Sequence, residues 1–201
     1  MNAGSNGANK IGVAVFASGE GTNAENIIRY FHAHHFIDVR LIVANNPQAG
    51  VILRAERLGV PVKIFTAQEW KYPKQIAGYL KSHHVEFIVL AGYLKLIPAE
   101  FITEFHGRII NIHPALLPRF GGKGMYGRNI HQNVFDSKET HTGITIHLVN
   151  EKYDDGEIIF QKIVSIDEND TPETIEKKVR QLEQEFFPQV VEAYIQNIIS
   201  L

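Results

Sequence analysis

Residues 11–24 read I-G-V-A-V-F-A-S-G-E-G-T-N-A. The first seven are an unbroken apolar run of strand length. Ser18 to Thr22 are turn-forming types, and Asn23 is of a helix-capping type. From residue 24 to about 35, Ile27, Ile28, Tyr30 and Phe31 recur at helical spacing, and residues 39–44 form a second apolar run closed by Asn45-Asn46-Pro47. Strand, turn, helix and strand in that order make one β-α-β unit. Outward from it the alternation continues, with a helical pattern over 51–58 ending at Gly59, a short strand over 62–65, and a helix over 73–83 with Pro73 in its first turn. A strand over 86–91, a short helix over 98–105 and a buried strand over 108–112 running into His113-Pro114 complete the first half. Apolar strands alternating with helices predict an α/β fold, a single mostly parallel sheet with helices on both faces.

Beyond Leu117 the pattern changes. Residues 118–128 hold four glycines and little apolar periodicity, which predicts a mobile loop of the kind that gates sites. Residues 142–149 and 157–164 are strand-like and read as a hairpin or a bent connection. A final helix is expected over 172–195, with Thr171 as N-cap and Glu173 and Glu176 in its first turns. The reading is one domain over 11–201 behind a loose leader, residues 1–10, rich in Gly, Asn and Ala.

Composition narrows the function. With 44% hydrophobic and 21% charged residues, the 201-residue chain is expected to fold as an ordinary globular protein. Lys plus Arg number 20 against 22 Asp plus Glu, a net charge of -2, so nothing draws the chain to a polyanion and no nucleic acid is expected. Zero cysteines remove thiolate catalysis and Cys-ligated metal. No apolar run reaches the roughly 18 residues of a membrane span. The expectation is a cytoplasmic protein with small-molecule substrates and no membrane, a monomer or a homodimer.

Four groups of residues carry candidate chemistry. Gly19 to Ala24 fit G-x-G-x-x-A between strand and helix, where backbone amides can hold phosphate. Asn45 and Asn46 stand where a dinucleotide site needs an acid, so one small phosphate is favoured over NAD, against a plain tight turn. Asn111 and His113 end a buried strand and, two residues apart, point the same way. An amide donor beside an imidazole suits oxyanion stabilisation with proton transfer; the bland alternative is a strand-end polar pair. Tyr153-Asp154-Asp155-Gly156 brings a carboxylate after an apolar strand, able to favour an imidazolium if it reaches His113. His32, His34 and His35, and His83 and His84, read as solvent-facing helix ends, and no metal site is expected.

Together, S-G-E-G-T-N at 18–23, L-A-G-Y-L-K-L-I at 90–97, N-I-H-P-A-L-L-P at 111–118 and G-I-T-I-H-L-V-N-E-K-Y-D-D-G at 143–156 resemble the phosphoribosylglycinamide formyltransferase family, over nearly the whole chain. The resemblance implies a Rossmann-like formyltransferase domain that moves a formyl group from 10-formyltetrahydrofolate, a co-substrate, to the amine of glycinamide ribonucleotide. It implies Asn111 as the formyl-oxygen donor, His113 as general acid and Asp154 as the carboxylate holding His113 protonated. Gly21, Thr22, Asn23, Arg180 and Glu183 would contact the ribonucleotide. Leu94, Lys95, Leu96, Ile97, Asn150, Glu151, Lys152, Tyr153 and Asp154, with Asn111, would line the folate site. Methionyl-tRNA formyltransferase and formyltetrahydrofolate deformylase share this core, but a one-domain chain is not expected to carry their extra domains. A non-catalytic binding module is the more distant alternative.

Overall fold

The computed structural model describes residues 10–200, so the expected leader lies outside the described residues except for Lys10. In chain order the elements are β1 (Ile11–Ala17), α1 (Thr22–Phe31), β2 (Ile37–Ala44), α2 (Gly50–Arg57), β3 (Val62–Ile64), α3 (Pro73–Ser82), β4 (Val85–Leu90), α4 (Ala99–Glu104), β5 (Ile109–His113), α5 (Arg128–Asp136), β6 (His141–Leu148), β7 (Ile158–Ser165) and α6 (Pro172–Ile199). They build one seven-stranded sheet of order β3-β2-β1-β4-β5-β6-β7. The pairs from β3 through β5 are parallel, whereas β6 runs antiparallel to both β5 and β7.

β1 is central, and its sequence shows why. Val13, Val15 and Ala17 enter the core beneath α1 and α6, and Ala14 and Phe16 enter the core beneath α3 and α4. A strand buried on both faces cannot alternate apolar with polar, hence the continuous run. The edge strand β7 has no fully buried residue and leaves Ile158 and Ile163, on opposite faces, exposed.

Three boundaries differ from the sequence reading. α1 stops at Phe31, because the chain turns and the His34 ring Nδ1 accepts the Ile37 amide at 3.2 Å, starting β2 early. Its N-cap is Gly21 in the left-handed region, φ 76°, with no side-chain cap from Asn23. The helix α5 was not read at all. Its buried residues are Ile130, His131 and Val134, too few apolar positions in nine residues to set a period. The last helix runs further than expected, to Ile199. Thr171 caps it as read, but its reciprocal partner is Thr174: Thr171 Oγ1 accepts the Thr174 amide at 3.3 Å and Thr174 Oγ1 the Thr171 amide at 2.8 Å.

The hairpin of β6 and β7 closes around Gly143, where an added Cβ would stand 1.9 Å from the Lys162 carbonyl oxygen. Gly143→Ala is therefore expected to force the two strands apart and to lower stability by about 2 kcal/mol, the usual scale of overpacking. A urea titration that gives an unchanged midpoint would contradict this close approach.

Candidate active site

The site grows out of the end of β5. Ile110 and Ile112 enter the core under α6, so the alternate residues Asn111 and His113 share the other face of the strand. Antiparallel pairing sets Asn111 opposite His147 and His113 opposite Thr145. Thr145 is fully buried; its hydroxyl donates to the Ala115 carbonyl at 2.7 Å and accepts from the Leu117 amide at 3.0 Å. Gln161 of β7 donates to that hydroxyl at 2.9 Å and to the Leu117 carbonyl at 3.0 Å. Four hydrogen bonds thus pin the turn that follows His113.

Asp154 arrives from the loop between β6 and β7 in the left-handed region, φ 53°. Its Oδ1 lies 3.5 Å from His113 Nδ1, 3.7 Å from His147 Nε2 and 3.5 Å from Asn111 Nδ2, and its Oδ2 accepts the Gly122 amide at 2.9 Å. Burial alone would raise the Asp154 pKa, but the His113 ring and the Gly122 amide beside it outweigh burial and hold the carboxyl well below the usual range, as an ionised group. Asp155 turns outward to Lys152 and Asn150, so of the two adjacent aspartates it is Asp154 that meets His113.

His113 is 3% exposed. Its other nitrogen, Nε2, lies 2.7 Å from the Phe120 carbonyl oxygen. The ring thus stands between two acceptors, a carboxylate and a carbonyl. His147 is placed differently: its Nδ1 lies 2.7 Å from the Leu148 carbonyl, which requires a proton there, and its Nε2 faces Asn111 Nδ2 at 3.0 Å. With Nδ1 as donor, Nε2 of the neutral ring accepts from Asn111, which turns the amide nitrogen toward the carboxylate and the cavity. The sequence reading gave His147 no role, although it stood in the 143–156 motif. Its spacing two residues after Thr145 was the available signal.

These groups border a cavity of about 380 Å³ that Asn23, Asn111, His113, Asp154 and Glu183 line from the body of the protein and residues 122–127 line from above. The loop expected to gate a site therefore does cover one, and it is anchored by the Phe120 and Gly122 contacts. Asn23 and Glu183 reach this cavity from α1 and α6. Burial raises the Glu183 pKa, opposed by Asn23 and Arg180. Gly21 and Thr22 stand beside the cavity at the head of α1. A Cβ at Gly21 would fall 2.5 Å from Val51 Cβ, so glycine is required there by space as well as by φ. Arg180 is mostly exposed, paired with Glu176 at 2.6 Å, and is not among the cavity-lining residues.

Behind Asn111 a smaller hollow of about 50 Å³ lies between Lys95, Leu96 and Ile97 on one side and Asn150, Lys152 and Tyr153 on the other. Leu94 opens onto the larger cavity instead, and Glu151 lies on a neighbouring surface hollow with Ala99 and Lys152. The expected folate residues thus form two facing segments, with Leu94 and Glu151 at their margins. Of the histidines read as solvent-facing, His34 is instead half-buried against Glu192 at 3.1 Å. Among the described residues no group of three or more His, Cys, Asp or Glu is arranged to hold a metal.

Residues 11–191 match the family described as formyl transferase. The chloroplastic phosphoribosylglycinamide formyltransferase of Arabidopsis thaliana is 41% identical over 94% of this chain, which spans 66% of that protein's length. The corresponding protein of Vigna unguiculata is similarly related, the chain spanning 62% of it. The phosphoribosylglycinamide formyltransferase of Bacillus subtilis is 40% identical, with 89% of this chain and 91% of that one covered. A crystal structure of the enzyme so named from Bacillus halodurans superposes with a TM-score of 0.80 at 36% identity, covering 90% of this chain and 93% of that one. By these matches the chain belongs to the formyl transferase family, among the phosphoribosylglycinamide formyltransferases.

Proposed function

We propose that the chain transfers a formyl group from 10-formyltetrahydrofolate to the amine of phosphoribosylglycinamide, a step of purine biosynthesis, and that Asn111, His113 and Asp154 carry the chemistry. The observation that bears most weight is the meeting of a carboxamide, an imidazole and an ionised carboxylate at the edge of one cavity. The amine attacks the formyl carbon, and the carbonyl oxygen becomes an oxyanion. One Nδ2 proton of Asn111 is directed to His147; the other faces Asp154 Oδ1 at 3.5 Å in the free protein and turns to that oxygen when reactants bind. The bond from carbon to the folate nitrogen then breaks as His113 protonates that nitrogen, and the proton shed by the attacking amine restores the acid. Asp154 keeps the ring charged and oriented. Because Nε2 of His113 is held by the Phe120 carbonyl, the loop that carries Phe120 must yield that nitrogen when reactants bind.

The two substrates divide the site. The hollow between residues 95–97 and 150–153 has apolar walls, Leu90, Ile97 and Val149, with Asn150 and Lys152 at its rim, which suits the flat pterin of the folate. The α1 N-terminus offers the free amides of its first turn to the ribonucleotide phosphate. Gly21, Thr22 and Asn23 surround it, with Glu183 beside the amine. Arg180 reaches this ligand only by leaving Glu176. No helix of the described residues is long and apolar enough to cross a membrane. We place the reaction in the cytoplasm, on a monomer or homodimer acting on small molecules.

The direct test mixes the protein with 10-formyltetrahydrofolate and follows folate absorbance with and without phosphoribosylglycinamide. Turnover is expected only with the ribonucleotide; turnover without it would mean hydrolysis to formate and overturn the assignment. His113→Ala should lower kcat by at least about 100-fold, as loss of a general acid does. Asn111→Ala should lower it by about 100- to 1,000-fold, the scale of a lost oxyanion donor. Near-normal turnover in either variant, with the fold intact by circular dichroism, would remove that residue from the mechanism.

Asp154 also makes stability depend on pH. Its folded pKa lies below the unfolded value of about 3.9. The ionised form therefore contributes stability that is present above about pH 4 and is lost as pH falls toward the folded pKa. Asp154→Asn should flatten the acid limb of a stability curve measured by urea unfolding between pH 2 and pH 7, roughly the span over which a carboxylate titrates. An acid limb as steep as in the parent protein would show that the carboxylate is not held by its neighbours.

A further inference from the structure

The long helix α6 runs through Pro188. Proline has no N–H, so the carbonyl four residues earlier, that of Gln184, loses its helical donor. In this structure the donor comes from another helix: Asn26 Nδ2 of α1 donates to the Gln184 carbonyl at 2.8 Å. Asn26 lies three residues after Asn23, on the same face of α1. Asn23 and Glu183, the residue before Gln184, both line the cavity. The face continues one turn further to Tyr30, whose hydroxyl donates to Glu192 Oε2 at 2.6 Å. Beside this polar seam, Ile27, Phe187 and Val191 are fully buried in one core. The two helices therefore meet in one register at the point where the backbone ladder of α6 is interrupted.

We infer that Asn26 is a positioning residue for the ribonucleotide half of the site: by supplying the hydrogen bond that Pro188 cannot, it fixes Glu183 at its place opposite Asn23. Neither the motif reading nor the proposed chemistry gives Asn26 any role. The functional part of the inference rests on the proposed reading of Glu183 as a ribonucleotide contact. The structural part, that Asn26 substitutes for a missing backbone donor, does not.

Two variants remove the donor, Asn26→Asp with the same shape and Asn26→Ala without a charge. Both should raise KM for phosphoribosylglycinamide by about threefold to fivefold, the scale of losing one intramolecular hydrogen bond at a solvent-accessible carbonyl. KM for 10-formyltetrahydrofolate should stay within experimental error, and kcat should change little. Pro188→Ala restores an N–H four residues after Gln184. In that background both Asn26 substitutions should lose most of their effect on KM and on the thermal midpoint, a coupling read from the double-mutant cycle. Equal effects with and without Pro188 would overturn the substitution of one donor for another. Coupling in the thermal midpoint with no change in the ribonucleotide KM would show a merely structural hook and overturn the positioning role. The thermal cycle needs no turnover, so failure of the formyl-transfer reading, seen as absent ribonucleotide-dependent activity in the parent protein, is distinguishable from failure of this inference.

Discussion

The antiparallel ladder between β5 and β6 fixes where each reacting group stands. It sets Asn111 against His147 and His113 against Thr145 on one face, while Ile110, Ile112, Ile144 and Ile146 are buried on the other. A one-residue slip of β6 would exchange its two faces, taking Ile144 and Ile146 out of the core and putting Thr145 and His147 there without their hydrogen-bond partners. At about 1 to 3 kcal/mol for each polar side chain buried without a partner, the two together cost about 2 to 6 kcal/mol. That is a large part of the roughly 5 to 15 kcal/mol that stabilises a whole domain. Core packing that holds the sheet together therefore also holds the Asn111 amide and the His113 imidazole in register, with no separate device at this strand pair.

Asp154 is the one group of the trio that comes from outside a strand, and it is held by electrostatics instead. A non-glycine residue in the left-handed region costs about 1 to 2 kcal/mol. Hydrogen bonds to a charged group contribute about 1.5 to 3 kcal/mol each, and Oδ2 makes a short one to the Gly122 amide while Oδ1 faces three side chains. The bonds outweigh the strain. They also tie the loop to the acid, since Gly122 binds Asp154 and Phe120 binds His113. Loop position and the placement of His113 and Asp154 are consequently coupled through two contacts.

How far the sequence discloses this arrangement depends on how each feature is stabilised. β1 is legible because a strand buried on both faces must be apolar throughout, and Thr171 is legible because a side-chain cap needs a particular residue type. Asn111 and His113 can be paired from strand periodicity alone. The contact between Asp154 and His113 spans 41 positions along the chain. Only the resemblance supplied that contact. α5 has too few apolar positions to announce itself, and His147 looks like any polar residue of a strand until its opposite number is known. At the head of α1, local chemistry points to Asn23 as the cap. The tight packing of Gly21 on Val51 sets the boundary instead, and Asn23 is left to face the cavity.

The two halves of the cavity differ in what makes them rigid. The α1 and α6 half rests on helices whose buried faces belong to the main core, whereas the segment over the other half is held by a small cluster of Phe120 and Met125 on Ala115, Ile130 and Val134 and by its contacts with His113 and Asp154. In the proposed reaction water would compete with the amine for the formyl carbon, and His113, only 3% exposed beneath that segment, is shielded from solvent in the free protein. Under the proposed mechanism, a reactant that receives the His113 proton takes the place of the Phe120 carbonyl on that ring. The same contact that excludes solvent in the free protein is thus the one that reactants must replace, which couples exposure of the acid to occupation of the site.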